Sequence, residues 1–464
     1  MLNIITTWIL PLVVVLGAAV TLHEFGHFIV AKILKIRVET FSFGFGPRLL
    51  GKKWGTTDYR ISAIPLGGYV KLGGDESNAP IEGEGAADIP ACERFDLRPR
   101  WQRIAVAVAG PIMNILTALA IPFAAGLIYG VPATPAPIVA SVLPASAAEE
   151  AGLRAGDRIV SFNGTPNPDW DTMSDDALLS PNKAFPMVVQ RDGQQLPLTI
   201  KPKPFTRDGE TAGELGFIPD YGNVTVFISE VVSGSGADSA GLKAGDKIVS
   251  VGGEQVKSSE QVTQYIRSHT AQPIEINVER GGQQVRISAQ VPPGQQKLGI
   301  YMGQRLPPGP GGPVASLGYA VNQNFRILKL TGKALGQVFS GERSVRNTIS
   351  GPIGIARESS RAVSDFGWAG LFTMLGFLSL NLGIFNLLPI PVLDGGAIFL
   401  LLVEGALAIV GLSISMRVRE RIQQVGFVFV ILLMVFVLTN DALKQISLWR
   451  GSNNSPPANA TPTK

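Results

Sequence analysis

The sequence predicts an α-helical polytopic membrane protein of about four transmembrane helices that carries two small β-rich repeats. Three observations predict it: apolar residues gathered into long runs, ionisable clusters inside those runs, and a middle segment that repeats itself. Hydrophobic residues make up 45% of the 464 and charged ones only 16%, below the roughly 25% of soluble domains. The formal charge of +4 is spread along the chain without a basic block interleaved with aromatics. No nucleic-acid partner is therefore expected, and the lipid bilayer is the first partner the composition points to. Cys92 is the only cysteine, which excludes an intramolecular disulfide, a Cys-based structural zinc site and a paired redox motif.

The first apolar run covers residues 8–34 and exceeds the about 20 residues that cross a bilayer as a helix. No basic region precedes it and no small-residue cleavage site closes it, so a retained span is expected rather than a removed signal. A second run, residues 104–131, follows Arg98, Arg100 and Arg103. The third, residues 368–412, is too long for one helix and is interrupted by Pro389 and Pro391, which predicts a break and a re-entry. The fourth, residues 425–438, is short and almost wholly apolar. Basic residues flanking spans tend to stay in the cytoplasm. Lys35, Arg37, Arg48, Lys52 and Lys53 in one loop, and Arg417, Arg419 and Arg421 in another, place both loops inside. Both chain ends and the segment 132–365 then lie outside.

Within that segment, residues 145–164 (ASAAEEAGLRAGDRIVSFNG) match residues 234–253 (GSGADSAGLKAGDKIVSVGG) at one constant offset. Each copy reads as a short helix stopped by Gly152 or Gly241, a buried Leu153 or Leu242, a turn, and an alternating strand. Asn163-Gly164 is a hairpin signal. Residues 305–313, rich in Pro and Gly, read as a linker. Residues 314–338 follow with apolar positions at helical spacing and Arg326, Lys329 and Lys333 among them, which suits a helix on the membrane surface or a soluble amphipathic one. The tail from residue 449 is polar, contains proline and is expected to be disordered.

His23-Glu24-Phe25-Gly26-His27 is an HExxH sequence. On a helix it sets two imidazoles one turn apart on one face with a glutamate beside them. That spacing suits zinc, which makes a water acidic enough for the glutamate to accept its proton as general base. Histidine is scarce, three in the chain, and this pair sits in an apolar run, where an ionisable group costs about 2.5 to 3.5 kcal/mol and marks function. The remaining His269, in the second repeat, reads as an exposed polar residue. Catalytic zinc usually has a third protein ligand. Glu39 and Asp58 are conceivable, one just past the helix end and one in a turn-rich loop. Asp394 is better placed, an acid in the otherwise apolar stretch NLLPIPVLDGG, where a metal would compensate it. The alternative is a water-exposed aspartate capping the next helix.

HEFGH in the first run together with NLLPIPVLDGG in a late one resembles the site-2 protease family of intramembrane zinc metalloproteases. The GLxAGDxIVxxxG pattern of the two repeats resembles PDZ domains of bacterial envelope proteases. The resemblance covers nearly the whole chain and is weakest in the tail. It implies Zn2+ bound by His23, His27 and Asp394, Glu24 as the base, and Asn381 and Asn386 holding substrate or polarising its carbonyl. It also implies that FGFGP (residues 43–47) and IPLGGYVK (64–71) form a re-entrant β-rich region whose edge, with Gly67, Gly68 and Tyr69, takes extended substrate; ordinary cytoplasmic hairpins are the plainer reading. GPIGI (351–355) matches the family too, without an evident chemistry.

The implied function is cleavage of transmembrane segments of single-span membrane proteins, an anti-sigma factor or signal-peptide remnants, with two PDZ-like domains that bind extended peptide or act as spacers. The implied location is the bacterial inner membrane, with the active site towards the cytoplasm and the PDZ-like domains in the periplasm. Two rivals are a membrane-anchored PDZ scaffold without proteolysis, against which Glu24 argues, and a metal transporter, which would need polar residues lining a path. The expected partition is 1–131 for the first two spans with the HExxH site and β region, 132–218 and 219–304 for the PDZ-like domains, 305–365 for linker and amphipathic helix, 366–448 for the last spans with the aspartate motif, and 449–464 for the tail.

Overall fold

The computed structural model describes residues 9–75, 89–207, 210–222, 224–270, 272–292, 297–305, 309–348, 351–412 and 414–453. The chain forms two compact units, one of Met1–Ile128 with Ser316–Lys464 and one of Tyr129–Ala315.

In the first unit, helix α1 (Leu10–Ile33) opens on Pro11, whose missing N–H costs nothing in a first turn. Strands β1 (Val38–Trp54) and β2 (Thr57–Leu72) follow. Each folds back on itself, so that Thr40 pairs with both Asp58 and Lys71, and Ser42 with both Arg60 and Tyr69. The result is a small sheet of four segments, with residues 68–72 along one edge. Helix α2 (Arg100–Tyr129) is the second span and carries Pro111 and Pro122 inside it.

The second unit holds strand β3 (Ala136–Val142), helix α3 (Ala147–Glu150), strands β4 (Arg158–Phe162) and β5 (Thr165–Pro166), helix α4 (Trp170–Leu179), and strands β6 (Phe185–Arg191), β7 (Gln194–Ile200), β8 (Lys203–Arg207), β9 (Glu210–Glu214) and β10 (Phe217–Asp220). The pattern then recurs: β11 (Thr225–Val231), α5 (Gly236–Ser239), β12 (Lys247–Val251), β13 (Glu254–Gln255), α6 (Ser259–Ser268), β14 (Ile274–Arg280), β15 (Gln283–Ala289) and β16 (Ile300–Arg305). One sheet has the order β10-β3-β4-β6-β7 and the other β16-β11-β12-β14-β15, so the duplicated sequence gives a duplicated topology.

The repeated residues do repeated work. Ser146 Oγ accepts from the Glu149 N–H at 3.2 Å and Ser235 Oγ from Asp238 at 3.3 Å, which caps α3 and α5. Leu153 and Leu242 are 5% and 3% exposed in the two cores. Asn163 and Gly164 take φ of 50° and 79°, as the β4–β5 hairpin requires. Asp157 and Asp246, each 1% exposed, accept two hydrogen bonds of 2.6 Å from Arg191 and Arg280 respectively. Burial raises both carboxyls, but the guanidinium and a backbone N–H outweigh it and hold them below the usual carboxylate range. The first sheet's last strand runs to Asp220, so a division at residue 218 cuts through it.

Back in the first unit, α7 (Pro313–Phe339) is one long helix. Its Asn324 donates to the Ala118 carbonyl at 3.0 Å, and Gly126 leaves just enough room for Ser316. It therefore runs beside α2, with Val314, Leu317, Val321 and Phe325 turned outward. A helical turn at Val345–Thr348 precedes α8 (Pro352–Asn386), which is broken at Gly367 (φ 59°, ψ −138°). The chain leaves the helix at residues 387–393, where the prolines lie, and re-enters as α9 (Asp394–Ile409). At 16 residues, α9 is about 24 Å long and falls short of the hydrocarbon core.

The last helix, α10 (Met416–Asn453), is far longer than the apolar run 425–438. Residues 449–453 continue it and do not begin a disordered tail; the rest of that tail lies outside the described residues. Among the described residues, four helices are long and apolar enough to cross a membrane: Leu10–Ile33, Arg100–Tyr129, Gly367–Asn386 and Arg417–Lys444.

Candidate metal centre

The i, i+4 spacing puts His23 and His27 on one face of α1, ring centroids 4.8 Å apart and edge to face. Their Nε2 atoms are 3.2 Å apart. Asp394, the first residue of α9, brings Oδ2 to 2.9 Å from His23 Nε2 and Oδ1 to 3.5 Å from His27 Nε2. Four-coordinate zinc with ligands at about 2.0 to 2.1 Å spaces its donors about 3.3 Å apart. The observed separations straddle that value, and two imidazoles with a carboxylate are a donor set zinc accepts. The three residues fit the metal.

The second span completes the surroundings. His27 Nδ1 lies 2.7 Å from the Val106 carbonyl oxygen, to which it donates, leaving Nε2 its lone pair. The backbones of α1 and α2 touch: a Cβ on Gly26 would lie 2.9 Å from Met113 Cβ and closer still to the Ala109 carbonyl. A Cβ on Gly110 would lie 2.8 Å from His23 Nε2 and closer to His27. Asn114, fully buried, sets its amide 3.3 Å from His23 Nδ1, and its Oδ1 has no partner among the described residues. With the amide turned over, Oδ1 accepts the His23 Nδ1 proton, as a ligating Nε2 requires. Sequence reading missed Val106, Gly110 and Asn114; a lone asparagine in an apolar run was the signal for the last.

Glu24 sits beside the histidines, its carboxylate facing the Val70 N–H of β2. Gly68 and Tyr69 pair with Phe43 and Ser42 of β1, immediately before that N–H. A Cβ on Gly68 would lie 2.6 Å from the Ser42 carbonyl oxygen and 3.6 Å from Thr21 Oγ1 of α1. Gly67 packs against the Phe45 ring, and Tyr69 stacks on Phe45 with centroids 6.2 Å apart. Asn386, the last residue of α8, places Nδ2 3.3 Å from His23 Nε2. Asn381 is turned elsewhere: it donates to the Phe377 carbonyl at 2.8 Å and accepts from Thr331 at 3.4 Å. Glu39 faces Lys71 at 3.8 Å and Asp58 pairs with Arg48 at 3.2 Å, so neither joins the histidines. His269 is half-buried, stacked on Tyr265 with centroids 4.1 Å apart.

Comparison with known proteins identifies the family. The profile described as peptidase family M50 matches residues 11–433. The regulator of sigma-E protease RseP of Escherichia coli is 32% identical over 456 residues, covering 92% of this chain and 97% of that protein. Its namesake in Salmonella typhimurium is 31% identical over 466 residues, with the same coverage of each. A Vibrio cholerae relative with "zinc metalloprotease" in its name is 33% identical over 454 residues, again covering 92% and 97%. Matched along nearly its whole length, the chain belongs to peptidase family M50, as a membrane-embedded zinc metalloendopeptidase of the site-2 type.

Proposed function

We propose that the protein hydrolyses a peptide bond within the transmembrane segment of single-span membrane proteins, with His23, His27 and Asp394 holding the zinc. The convergence of those three donors, from α1 and α9, carries the reading. Zinc at that position supplies Lewis acidity for water and for the scissile carbonyl. Glu24 takes the proton from the attacking water and passes it to the leaving nitrogen. The Asn386 amide donates to the carbonyl oxygen as it gains negative charge. A helical substrate must first unwind, and the edge at Gly67, Gly68 and Tyr69 offers backbone groups to an extended strand next to Glu24. The regulator names of the relatives favour an anti-sigma factor as substrate, within an envelope stress response; signal-peptide remnants meet the same structural requirement.

The two repeats read as PDZ-like domains. Strands β10 and β16 lie at the edges of their sheets, where β-augmentation by an extended peptide is available. They would admit trimmed substrates and exclude intact ones, and deleting both while intact substrate stayed uncut would count against that role. In the bacterial inner membrane, the basic loops favour a metal centre towards the cytoplasm, with the repeats and termini in the periplasm. A cysteine introduced at exposed Asn163 should then react with an impermeant maleimide in intact spheroplasts, whereas exposed Cys92 should react only after permeabilisation.

The deciding experiment is cleavage of a tagged single-span reporter by the wild type and by Glu24→Gln, with bound zinc measured in both. Loss of cleavage with zinc retained supports the assignment. A variant that still cuts at the wild-type rate removes Glu24 from the chemistry.

A further inference from the structure

The last helix is the least packed of the four spans. Val425, Phe427, Val428 and Leu432 are all more than half exposed, as befits side chains facing lipid. At one position, however, its backbone presses on the loop that presents Asp394. A Cβ on Gly426 would lie 2.8 Å from the Pro391 carbonyl oxygen and 2.9 Å from its carbon, and nearer still to the proline ring. From the other side Pro391 meets Gly396, in the first turn of α9, where a Cβ would lie 2.9 Å from Pro391 Cα. Pro391 is thus gripped between two glycines of two different helices, three positions before Asp394.

The gripped loop is strained. Val392 has φ of 86°, a conformation that a β-branched residue adopts only where its surroundings impose it. Internal hydrogen bonds of the loop are few: Ile390 donates to Leu388 at 2.7 Å and Leu393 to Ile390 at 3.1 Å. The grip therefore has to come from outside.

Helix α10 is fastened at two points. Near its start Arg419 pairs with Glu404 of α9. About six turns further on Asp441, 3% exposed, accepts from the N–H groups of Gly351, Ile353 and Gly354 at 2.9, 3.0 and 3.3 Å. Those amides open α8, whose far end leads into the loop. A side chain on Gly351 would displace that carboxylate, its Cβ falling 2.8 Å from Asp441 Oδ2. The GPIGI motif is thereby a docking point for the last helix.

We infer that α10 is a buttress for the metal centre and that Gly426 is a positioning residue, acting through Pro391 and the strained Val392 to hold Asp394 where it can bind zinc. This rests on Asp394 being a zinc ligand. The test is zinc affinity, measured by chelator competition on the full chain in detergent, for the wild type, Gly426→Ala, Gly426→Leu, Asp441→Asn, Asp394→Asn and the lipid-facing control Val428→Leu. Supporting contacts of a metal ligand are typically worth about 10- to 100-fold in affinity. That loss is expected for Gly426→Leu, a smaller one for Gly426→Ala and Asp441→Asn, and none for Val428→Leu. Excess zinc should restore cleavage to Gly426→Ala, which a general loss of folding would not allow. Wild-type zinc affinity in a folded Gly426→Leu overturns the proposal. If that variant does not accumulate, Asp441→Asn decides, because it loosens the helix without touching Pro391; wild-type affinity there overturns it equally. Zinc held as tightly by Asp394→Asn as by the wild type overturns the ligand assignment instead, and is recognised as such.

Discussion

The Nδ1 of His27 donates to the carbonyl oxygen of Val106 across the contact between the first two spans, at 2.7 Å. The bond fixes the tautomer and the ring plane together, so the second span is as much a part of the site as the helix that carries the histidines.

Gly110→Ala tests that contact. A methyl there collides with both imidazoles, and the backbone of α2 cannot retreat while Gly26 holds it against α1. Bound zinc after purification should fall to near that of His23→Ala, with the fold of the Tyr129–Ala315 unit unaffected by circular dichroism.

Asn114→Leu keeps the volume and removes the hydrogen bond to His23. Zinc affinity should drop by about 10-fold or more, and Asn114→Asp, which restores an acceptor, should recover part of it. Equal affinity in Asn114→Leu and wild type would show that the amide does not orient His23.

Gly68→Val should separate substrate handling from metal binding. The added Cβ meets the Ser42 carbonyl and shifts the edge beside Glu24, while the three zinc donors are untouched. The expected outcome is full zinc occupancy with cleavage of the single-span reporter slowed by at least about 10-fold, equivalent to about 1.4 kcal/mol in the barrier.

Asp246→Asn should loosen the second repeat by about 1 to 3 kcal/mol, the usual cost of losing hydrogen bonds to a buried charged group. Unfolding in urea checks it. The folded carboxyl titrates below its ordinary value, so its contribution is complete above about pH 4 and fades as the pH falls through the folded pKa. The difference between wild type and variant should therefore shrink towards pH 2. Asp157→Asn should behave alike in the first repeat.

What was legible in the sequence and what was not divide along physical lines. HExxH in an apolar run, Asp394 in another, and the proline break before it are local signals, because each places a costly group where lipid would refuse it. The duplicated residues likewise announced a duplicated sheet. The second span's share was hidden, since glycines and alanines in an apolar run look alike whether they face lipid or an imidazole. The fold-back of β1 and β2 was hidden too, because one stretch of sequence pairs on both sides. Arg191 and Arg280 could not be matched to Asp157 and Asp246 from spacing alone, and Asn381 was drawn to the site by its motif while its amide faces Phe377 and Thr331.

The separation of the three proposed ligands along the chain also sets an order of assembly. His23 and His27 leave the ribosome well before Asn386, which lies 363 positions beyond His23, and Asp394 and Asp441 follow it. A growing chain therefore carries its histidines through the insertion machinery without the aspartate that completes the set, and without the helix that docks on the amides at 351–354. With Asp394 as the third ligand, the metal centre is complete only once the C-terminal helices have been made, and a chain that ends before residue 394 should hold zinc weakly and cut nothing.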